Sequence, residues 1–199
     1  MAQQERATKR LILVLGGARS GKSRLAEQLA ARLGKRVAYL ATAEAADPEM
    51  AARIAHHRAR RPASWQTVEA PLRVGEALAH LAGQADVVLL DCLTLLASNL
   101  LAPLGANPDP LEAEARLERE IDALLAAYEA GQASLVIVSN EVGWGLVPTW
   151  PLGRVYRDIL GRAHQRLAAR ADRVLLVVAG IAVDLKRLQV TPEEAAGDA

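Results

Sequence analysis

Residues 16–23 restrict the fold of this chain more than any other feature, because they fit the pattern G-x-x-x-x-G-K-[ST]. An apolar run at 11–15 precedes them, and an Ala- and Leu-rich segment with helical spacing follows at 22–33. This order of strand, loop and helix is the context in which the pattern forms a phosphate-binding loop, or P-loop. The sequence therefore predicts a site for a nucleoside triphosphate.

The P-loop residues have separate predicted roles. The glycines let backbone N–H groups curl around phosphate oxygens at the positive end of a helix. Lys22 is expected to reach the terminal phosphates as a point charge, and the Ser23 hydroxyl is expected to ligate Mg²⁺. Lysine occurs at only four positions, so finding one at the motif position strengthens the prediction. The predicted nucleotide contacts are Gly16, Gly17, Ala18, Arg19, Ser20, Gly21, Lys22 and Ser23.

Strand-like runs recur along the chain and are separated by helical segments. Most of these runs are apolar throughout, as expected for strands that are covered on both faces. The alternation predicts an α/β fold with a mostly parallel sheet flanked by helices. The predicted strands are 11–15, 37–41, 65–68, 87–90, 135–139 and 174–178, and the predicted helices are 22–33, 48–61, 72–81, 111–128 and 154–171.

Parallel α/β sheets bind ligands at the carboxyl ends of their strands, which here selects the P-loop, Thr42, Asp91, Asn140 and Glu141. Asp91 follows the apolar run 87–90 at the end of a predicted strand. In P-loop proteins, an acidic residue at this position holds Mg²⁺, directly or through water. The alternative is a carboxylate that caps the next turn. Asn140 and Glu141 could sense a phosphate, hold a water or touch the acceptor, or they could only begin a turn toward Gly143.

The composition is typical of a soluble globular protein. The chain has 199 residues, 51% of them hydrophobic and 24% charged, and a net charge of +1 creates no strong attraction to nucleic acid or membranes. Aromatic residues make up 3%, which argues against platforms for base stacking. The single cysteine, Cys92, excludes an intramolecular disulfide and fits a reducing cytoplasm. We interpret it as a small buried residue rather than a reactive thiol.

The chain is expected to form one domain that does not span a membrane. The apolar stretch at 87–104 is interrupted by Asp91 and by two further polar residues, so it does not read as a membrane-spanning helix. The apolar run before the P-loop is too short for a signal peptide core. We predict a single domain over 10–188, with flexible tails at 1–9 and 189–199.

The predicted helix at 48–61 gives a second indication of chemistry. Helical spacing places Met50, Ile54 and His57 on one stripe and Arg53, His56 and Arg60 on another. His56 lies among arginines that suit a triphosphate, and a histidine nitrogen at such a position suits covalent catalysis. From periodicity alone, a solvated basic helix face is the simpler interpretation. The adjacent histidines lack cysteine or carboxylate partners at ligand spacing, which argues against a metal site.

These motifs occur together in one known family. The chain resembles the bifunctional adenosylcobinamide kinase / adenosylcobinamide-phosphate guanylyltransferase family of cobalamin biosynthesis, over roughly residues 10–185. The P-loop alone is shared by many folds, whereas its combination with the His-His helix and the Asn-Glu-Val-Gly loop is specific. The resemblance is carried by residues 16–24, 39–42, 49–57, 61–62, 140–143, 145–148, 157–162 and 165–168.

The resemblance implies two reactions on a corrinoid. A kinase step moves the γ-phosphoryl group of ATP or GTP to the aminopropanol hydroxyl of adenosylcobinamide. A second step transfers GMP from GTP to that phosphate and releases pyrophosphate. A family histidine carries GMP covalently, and the matching residue is His56, which with Lys22 forms the implied catalytic pair.

The resemblance also implies a RecA-like P-loop NTPase core, Mg²⁺ as cofactor and a cytoplasmic homotrimer. Besides the P-loop, the implied nucleotide contacts are Ala41, Thr42, Ala43, His57, Arg58, Ala59, Arg60, Glu69 and Asp91. Two positions depart from the family pattern. Asp91 stands where some relatives have glutamate, which preserves metal binding, and Trp144 stands where an aliphatic residue is usual.

Two other functions are weighed against this one. A small-molecule P-loop kinase with a single activity would use His56 only as a phosphate contact and would form no covalent intermediate. A nucleotide-binding module that couples to a macromolecule should carry a basic stripe or a partner-binding extension. The balanced charge and compact length of the chain speak against that module.

Overall fold

The structure, a computed structural model, describes residues 9–45, 47–59 and 61–197, with only the backbone described at residue 53. Its strands are β1 (Leu11–Gly16), β2 (Val37–Ala41), β3 (Gln66–Glu69), β4 (Val87–Asp91), β5 (Ser134–Asn140), β6 (Arg173–Val178) and β7 (Ile181–Asp184). Its α-helices are α1 (Lys22–Leu33), α2 (Pro48–Ala59), α3 (Val74–His80), α4 (Leu93–Leu101), α5 (Pro110–Ala130), α6 (Pro151–Arg170) and α7 (Pro192–Ala196).

The predicted α/β fold with a mostly parallel sheet flanked by helices is confirmed. The described strands form one sheet in the order β3-β2-β4-β5-β1-β6-β7. All neighbouring strands pair in parallel except β6 and β7, which form an antiparallel hairpin. Every predicted strand and helix is present, with ends displaced by at most three residues. No helix in the described part of the chain is long and apolar enough to cross a bilayer.

Helix α4, strand β7 and helix α7 do not follow from the sequence patterns. Helix α4 packs against β5, α5 and α6, so it lacks the polar face that indicates a surface helix. Strand β7 follows a two-residue turn of Ala179 and Gly180, whose φ angles of 51° and 80° suit a tight hairpin. Helix α7 lies in the predicted C-terminal tail. The domain limits stay a prediction, and the first eight and last two residues lie outside the described part.

The core occupies both faces of the sheet, because alternate residues of each central strand face opposite ways. In β1, Leu11, Leu13 and Leu15 pack on the side of α3 to α6, whereas Ile12 and Val14 pack on the side of α1. Burial on both faces explains why the central strands are apolar along most of their length. Helix α2 lies outside both cores, since none of its residues with a described side chain is buried.

Gly75 of α3 lies where this helix packs directly on α5. A Cβ atom at residue 75 would lie 2.5 Å from the backbone carbonyl carbon of Ala123. We expect Gly75→Ala to lower the free energy of unfolding by about 1–3 kcal/mol, because the two helices must separate to admit the methyl group. Urea denaturation measures this change.

Gly161→Ala in α6 is the matched control for this prediction. A Cβ atom at residue 161 meets no atom within 4 Å. The free energy of unfolding should then stay the same or rise by up to about 1 kcal/mol, since alanine favours the helix. Equal destabilisation by both substitutions would contradict the packing argument.

Candidate active site

The predicted P-loop connects β1 to α1 at the carboxyl edge of the sheet. Gly16 has a φ of 157°, and a Cβ atom there would lie 2.5 Å from the carbonyl oxygen of Val177 in β6. Gly21 has a φ of 96° and precedes the first residue of α1. The Gly180 N–H donates to the Ser20 carbonyl at 2.8 Å, so the β6–β7 hairpin supports the loop from outside. Glycine is therefore required where the chain leaves β1 and where it enters α1.

The polar side chains of this loop point to an anionic ligand. Lys22 Nζ donates to the Gly17 carbonyl at 3.1 Å, which places the ammonium group against the loop backbone. Ser20 Oγ is buried and makes no hydrogen bond to another atom of the described residues. A buried hydroxyl in this situation is a donor that a phosphate oxygen would satisfy. Loop shape, cation and hydroxyl together are suited to binding phosphate.

A cavity of about 500 Å³ lies between the carboxyl edge of the sheet and α2. Its size is that of a small-molecule site. The predicted site residues that line it are Lys22, Ser23, Ala41, Ala43, His57, Arg58, Glu69 and Asp91. The cavity therefore brings together P-loop residues, strand ends and the histidine helix, which are separated by up to about seventy positions in the sequence.

The other predicted site residues lie beside the cavity or outside the described part. Thr42 is fully buried behind the strand ends, whereas His56 and Ala59 are exposed on α2. Arg60 is not among the described residues. The remaining P-loop residues form the backbone turn next to the cavity: Gly16, Gly17, Ala18, Arg19, Ser20 and Gly21.

Asp91 ends β4, and its carboxylate is held by a tyrosine. Tyr39 Oη donates to Asp91 Oδ2 at 2.8 Å. Burial, together with the charge of Asp91, raises the pKa of Tyr39 far above its usual value, so the phenol stays protonated and keeps donating. Asp91 and Ser23 both line the cavity wall.

The donor set around Asp91 fits Mg²⁺. This ion is usually held by one or two protein oxygens, and its other positions are filled by substrate phosphates and water. Asp91 and Ser23 supply such oxygens on one cavity. The described residues contain no cluster of three or more His, Cys, Asp or Glu side chains that could hold a metal alone. An ion here would therefore be shared with the nucleotide.

Thr42 supports the position of Asp91. Its hydroxyl accepts from the Cys92 N–H at 2.8 Å and donates to the Cys92 carbonyl at 2.7 Å. Asn99 Nδ2 donates to the Thr42 carbonyl at 2.9 Å and ties α4 to the same point. The ends of β2 and β4 are thus joined directly behind the Asp91 carboxylate.

Burial raises the pKa of the Cys92 thiol, in agreement with its interpretation as a buried residue.

The two histidines of α2 occupy different surroundings. Met50, Ile54 and His57, which the helical spacing places on one stripe, all line the cavity. His56 is exposed and lies outside the cavity wall, and its ring centroid is 6.4 Å from that of His57. The prediction of the stripe that carries His57 thus agrees with the structure, whereas the stripe that carries His56 includes Arg53 and Arg60, whose side chains lie outside the described part. The proposed nucleophile lies next to the cavity-facing histidine rather than on the cavity itself.

The structure separates the roles of Asn140 and Glu141. Asn140 pairs in register with Gly16 and lines the cavity, and its Oδ1 is buried without a partner among the described residues. The Glu141 backbone N–H donates to the Gly16 carbonyl at 3.1 Å, and its side chain accepts from the Gly143 N–H at 2.8 Å. Asn140 is thus placed to contact a ligand. Glu141 fixes the turn and also faces the buried His164, with Oε2 3.8 Å from Nδ1.

Sequence reasoning missed several residues of the cavity wall, notably Tyr39, Arg61, Thr67 and Tyr156. Tyr39 and Thr67 are paired across β2 and β3, and the Arg61 guanidinium lies 3.6 Å from the centre of the Tyr39 ring. A tyrosine inside an otherwise aliphatic strand was the available signal, because its hydroxyl needs a partner when buried.

The fold and this cavity define a class: α/β proteins that bind a phosphorylated ligand at the carboxyl edge of a mostly parallel sheet. Residues 12–185 match the family model described as CobU, cobinamide kinase / cobinamide phosphate guanyltransferase. The chain therefore belongs to this family, which confirms the resemblance found in the sequence.

Curated relatives match over nearly their whole length. The bifunctional adenosylcobalamin biosynthesis protein CobU of Salmonella typhimurium is 46% identical over 181 residues, covering 88% of this chain and 99% of the relative. The protein CobP of Pseudomonas aeruginosa, described in the same words, is 49% identical over 174 residues, covering 87% and 96%. CobU of Escherichia coli is 47% identical over 181 residues, covering 88% and 99%.

Proposed function

We propose that this protein phosphorylates adenosylcobinamide and then transfers GMP from GTP to the product, using one P-loop NTPase core of the RecA type. The observation that carries the proposal is the single cavity that joins Lys22, Ser23 and Asp91 to the histidine helix. Both reactions need a clamped triphosphate, and the family description names both transfers. The P-loop would therefore serve both.

In the proposed kinase step, the P-loop N–H groups and Lys22 hold the terminal phosphates of ATP or GTP. Ser23 and Asp91 would hold Mg²⁺, which offsets negative charge on the phosphates when bound. The aminopropanol oxygen attacks the γ-phosphorus and loses its proton, and the bond to the bridging oxygen breaks as the nucleoside diphosphate leaves. The remaining lining residues orient the acceptor and exclude water.

In the proposed guanylyl step, a nitrogen of His56 attacks the α-phosphorus of GTP, and pyrophosphate leaves. A phosphate oxygen of adenosylcobinamide phosphate then attacks the phosphorus of the His–GMP adduct and releases the histidine. The placement of α2 over the cavity supports this role, because His57 lies on its wall and His56 is adjacent. Arg58, also on the wall, would pair with the phosphates.

We further propose a homotrimer acting in the cytoplasm, without nucleic-acid partners. The edge strand β7 supports assembly, because Ile181 and Val183 are exposed on it, together with Val178 at the end of β6. An exposed apolar edge of this kind is usually covered by a partner. The net charge of +1 gives no strong overall attraction to a polyanion.

Two labelled nucleotides test the proposed function. With [γ-³²P]ATP and adenosylcobinamide, label should appear in adenosylcobinamide phosphate; with [α-³²P]GTP and that product, it should appear in adenosylcobinamide-GDP. Removal of Mg²⁺ with EDTA should stop both transfers. Transfer from ATP without any transfer from α-labelled GTP would instead support the kinase with a single activity.

A further inference from the structure

Helix α2 is held against the protein by few contacts, although it carries both histidines. None of its described side chains is buried, and only Met50, Ile54 and His57 are half-buried, at the cavity. At the start of the helix, Asp47 Oδ1 accepts from the Met50 N–H at 2.7 Å, a contact within the same segment. Contacts from residues outside α2 therefore contribute to its position relative to the sheet.

Arg61, just beyond the helix, makes contacts that can set this position. Its Nε donates to the His57 carbonyl at 3.1 Å, at the C-terminal end of α2. Its Nη1 donates to Thr67 Oγ1 on β3 at 3.2 Å. Its guanidinium also lies 3.6 Å from the centre of the Tyr39 ring on β2. A planar, forked cation can satisfy all three contacts at once, and a cation is favourable at a helix C-terminus.

The same tyrosine also contacts Asp91, the carboxylate proposed to hold Mg²⁺. Tyr39 is 4% exposed, and its hydroxyl donates to Asp91 Oδ2 at 2.8 Å. The aromatic face that receives Arg61 and the hydroxyl that holds Asp91 therefore belong to one rigid side chain. Arg61 links the end of the histidine helix to the edge of the sheet that binds the phosphates.

We propose that Arg61 is a positioning residue for guanylyl transfer: it anchors the C-terminal end of α2 to β2 and β3 and so sets the distance between the histidines and the nucleotide phosphates. This inference rests on the proposed function for its catalytic part. The kinase step uses no histidine, so it depends less on the position of α2. Arg61 acts through the helix and not as a group that exchanges atoms with the substrate.

Arg61→Lys tests this inference, because lysine keeps the charge but loses the fork and the planar stacking. We expect the rate of His–GMP formation from [α-³²P]GTP to fall about 10- to 100-fold, as for a misplaced reacting group. The fall should be mainly in kcat, and the kinase rate should fall several-fold less. Hydrogen exchange of the α2 amides, measured by mass spectrometry, should become faster in the same variant.

Two further variants serve as comparisons. Tyr39→Phe keeps the ring but removes the hydroxyl from Asp91, so it should lower both activities alike and leave α2 exchange unchanged. Arg116→Lys removes another forked arginine, which pairs with Glu112 on the exposed face of α5, and should change neither activity.

The outcomes distinguish this inference from the proposed function. Unchanged α2 exchange in Arg61→Lys, or an equal loss of both activities, would overturn the anchoring role. Faster exchange in that variant, with no His–GMP adduct even in the wild type, would confirm the anchor and refute the guanylyl mechanism.

Discussion

Lys22→Ala is expected to lower the rates of both phosphoryl and guanylyl transfer by about 10²–10³-fold, the usual cost of removing one donor that stabilises charge in the transition state. In the proposed function, both reactions develop charge on a triphosphate held by the same loop. Lys22 lies against that loop, with Nζ 3.1 Å from the Gly17 carbonyl oxygen. Initial rates with γ-labelled ATP and α-labelled GTP measure the two losses separately.

Lys35→Ala is the matched control for the loss of one lysine. Lys35 is exposed between α1 and β2, and its backbone N–H, which donates to Asp86, is kept in the variant. Both rates should match the wild type. If Lys22→Ala lost only one of the two activities, the proposal that both reactions share one phosphate site would be wrong.

His56→Ala is expected to abolish the acid-labile protein label from [α-³²P]GTP and to lower guanylyl transfer by at least about 10³-fold, as for loss of a covalent nucleophile. Some kinase turnover should remain, because the γ-phosphoryl group moves directly to the corrinoid. Circular dichroism should show the wild-type fold, since His56 is exposed and outside both cores.

His57→Ala is the decisive comparison, because His57 lines the cavity and His56 does not. If His56 is the nucleophile, His57→Ala should still take up label, at a rate reduced by altered packing of α2. Label retained in His56→Ala and lost in His57→Ala would reassign the nucleophile to the cavity-facing histidine. Equal loss of both activities in His56→Ala, with the fold intact, would argue against separate roles.

Much of the fold could be predicted because its signals are local. The P-loop spacing, the apolar strands and the periodic helices each lie within a short window, and the parallel order follows from their alternation. Strand β7 was not predicted because it forms by pairing with β6 across a two-residue turn. Helix α4 was not predicted because it packs against the sheet, α5 and α6 and therefore lacks the polar face by which a surface helix is recognised in a sequence.

The site was predictable only in part, for a related reason. Asp91 follows from the rule for strand ends, and it lies on the cavity as expected. The same rule predicts Thr42 as a site residue, yet the Thr42 hydroxyl forms hydrogen bonds with the Cys92 backbone behind the cavity. Strand-end position predicts the edge of the sheet on which a residue lies, but not which side of that edge its side chain takes.

The sequence by itself determined a mostly parallel α/β sheet and membership of a family, and it predicted a phosphate-binding loop after the first strand. Each of these depends on residue types at fixed spacing, which a single chain displays directly. Only the tertiary structure decided that Arg61, Tyr39 and Asp91 form one connected set, and that the stripe with His57 rather than the stripe with His56 faces the cavity. These relations join separate strands and a helix, so they depend on distances in space that no spacing along the chain encodes.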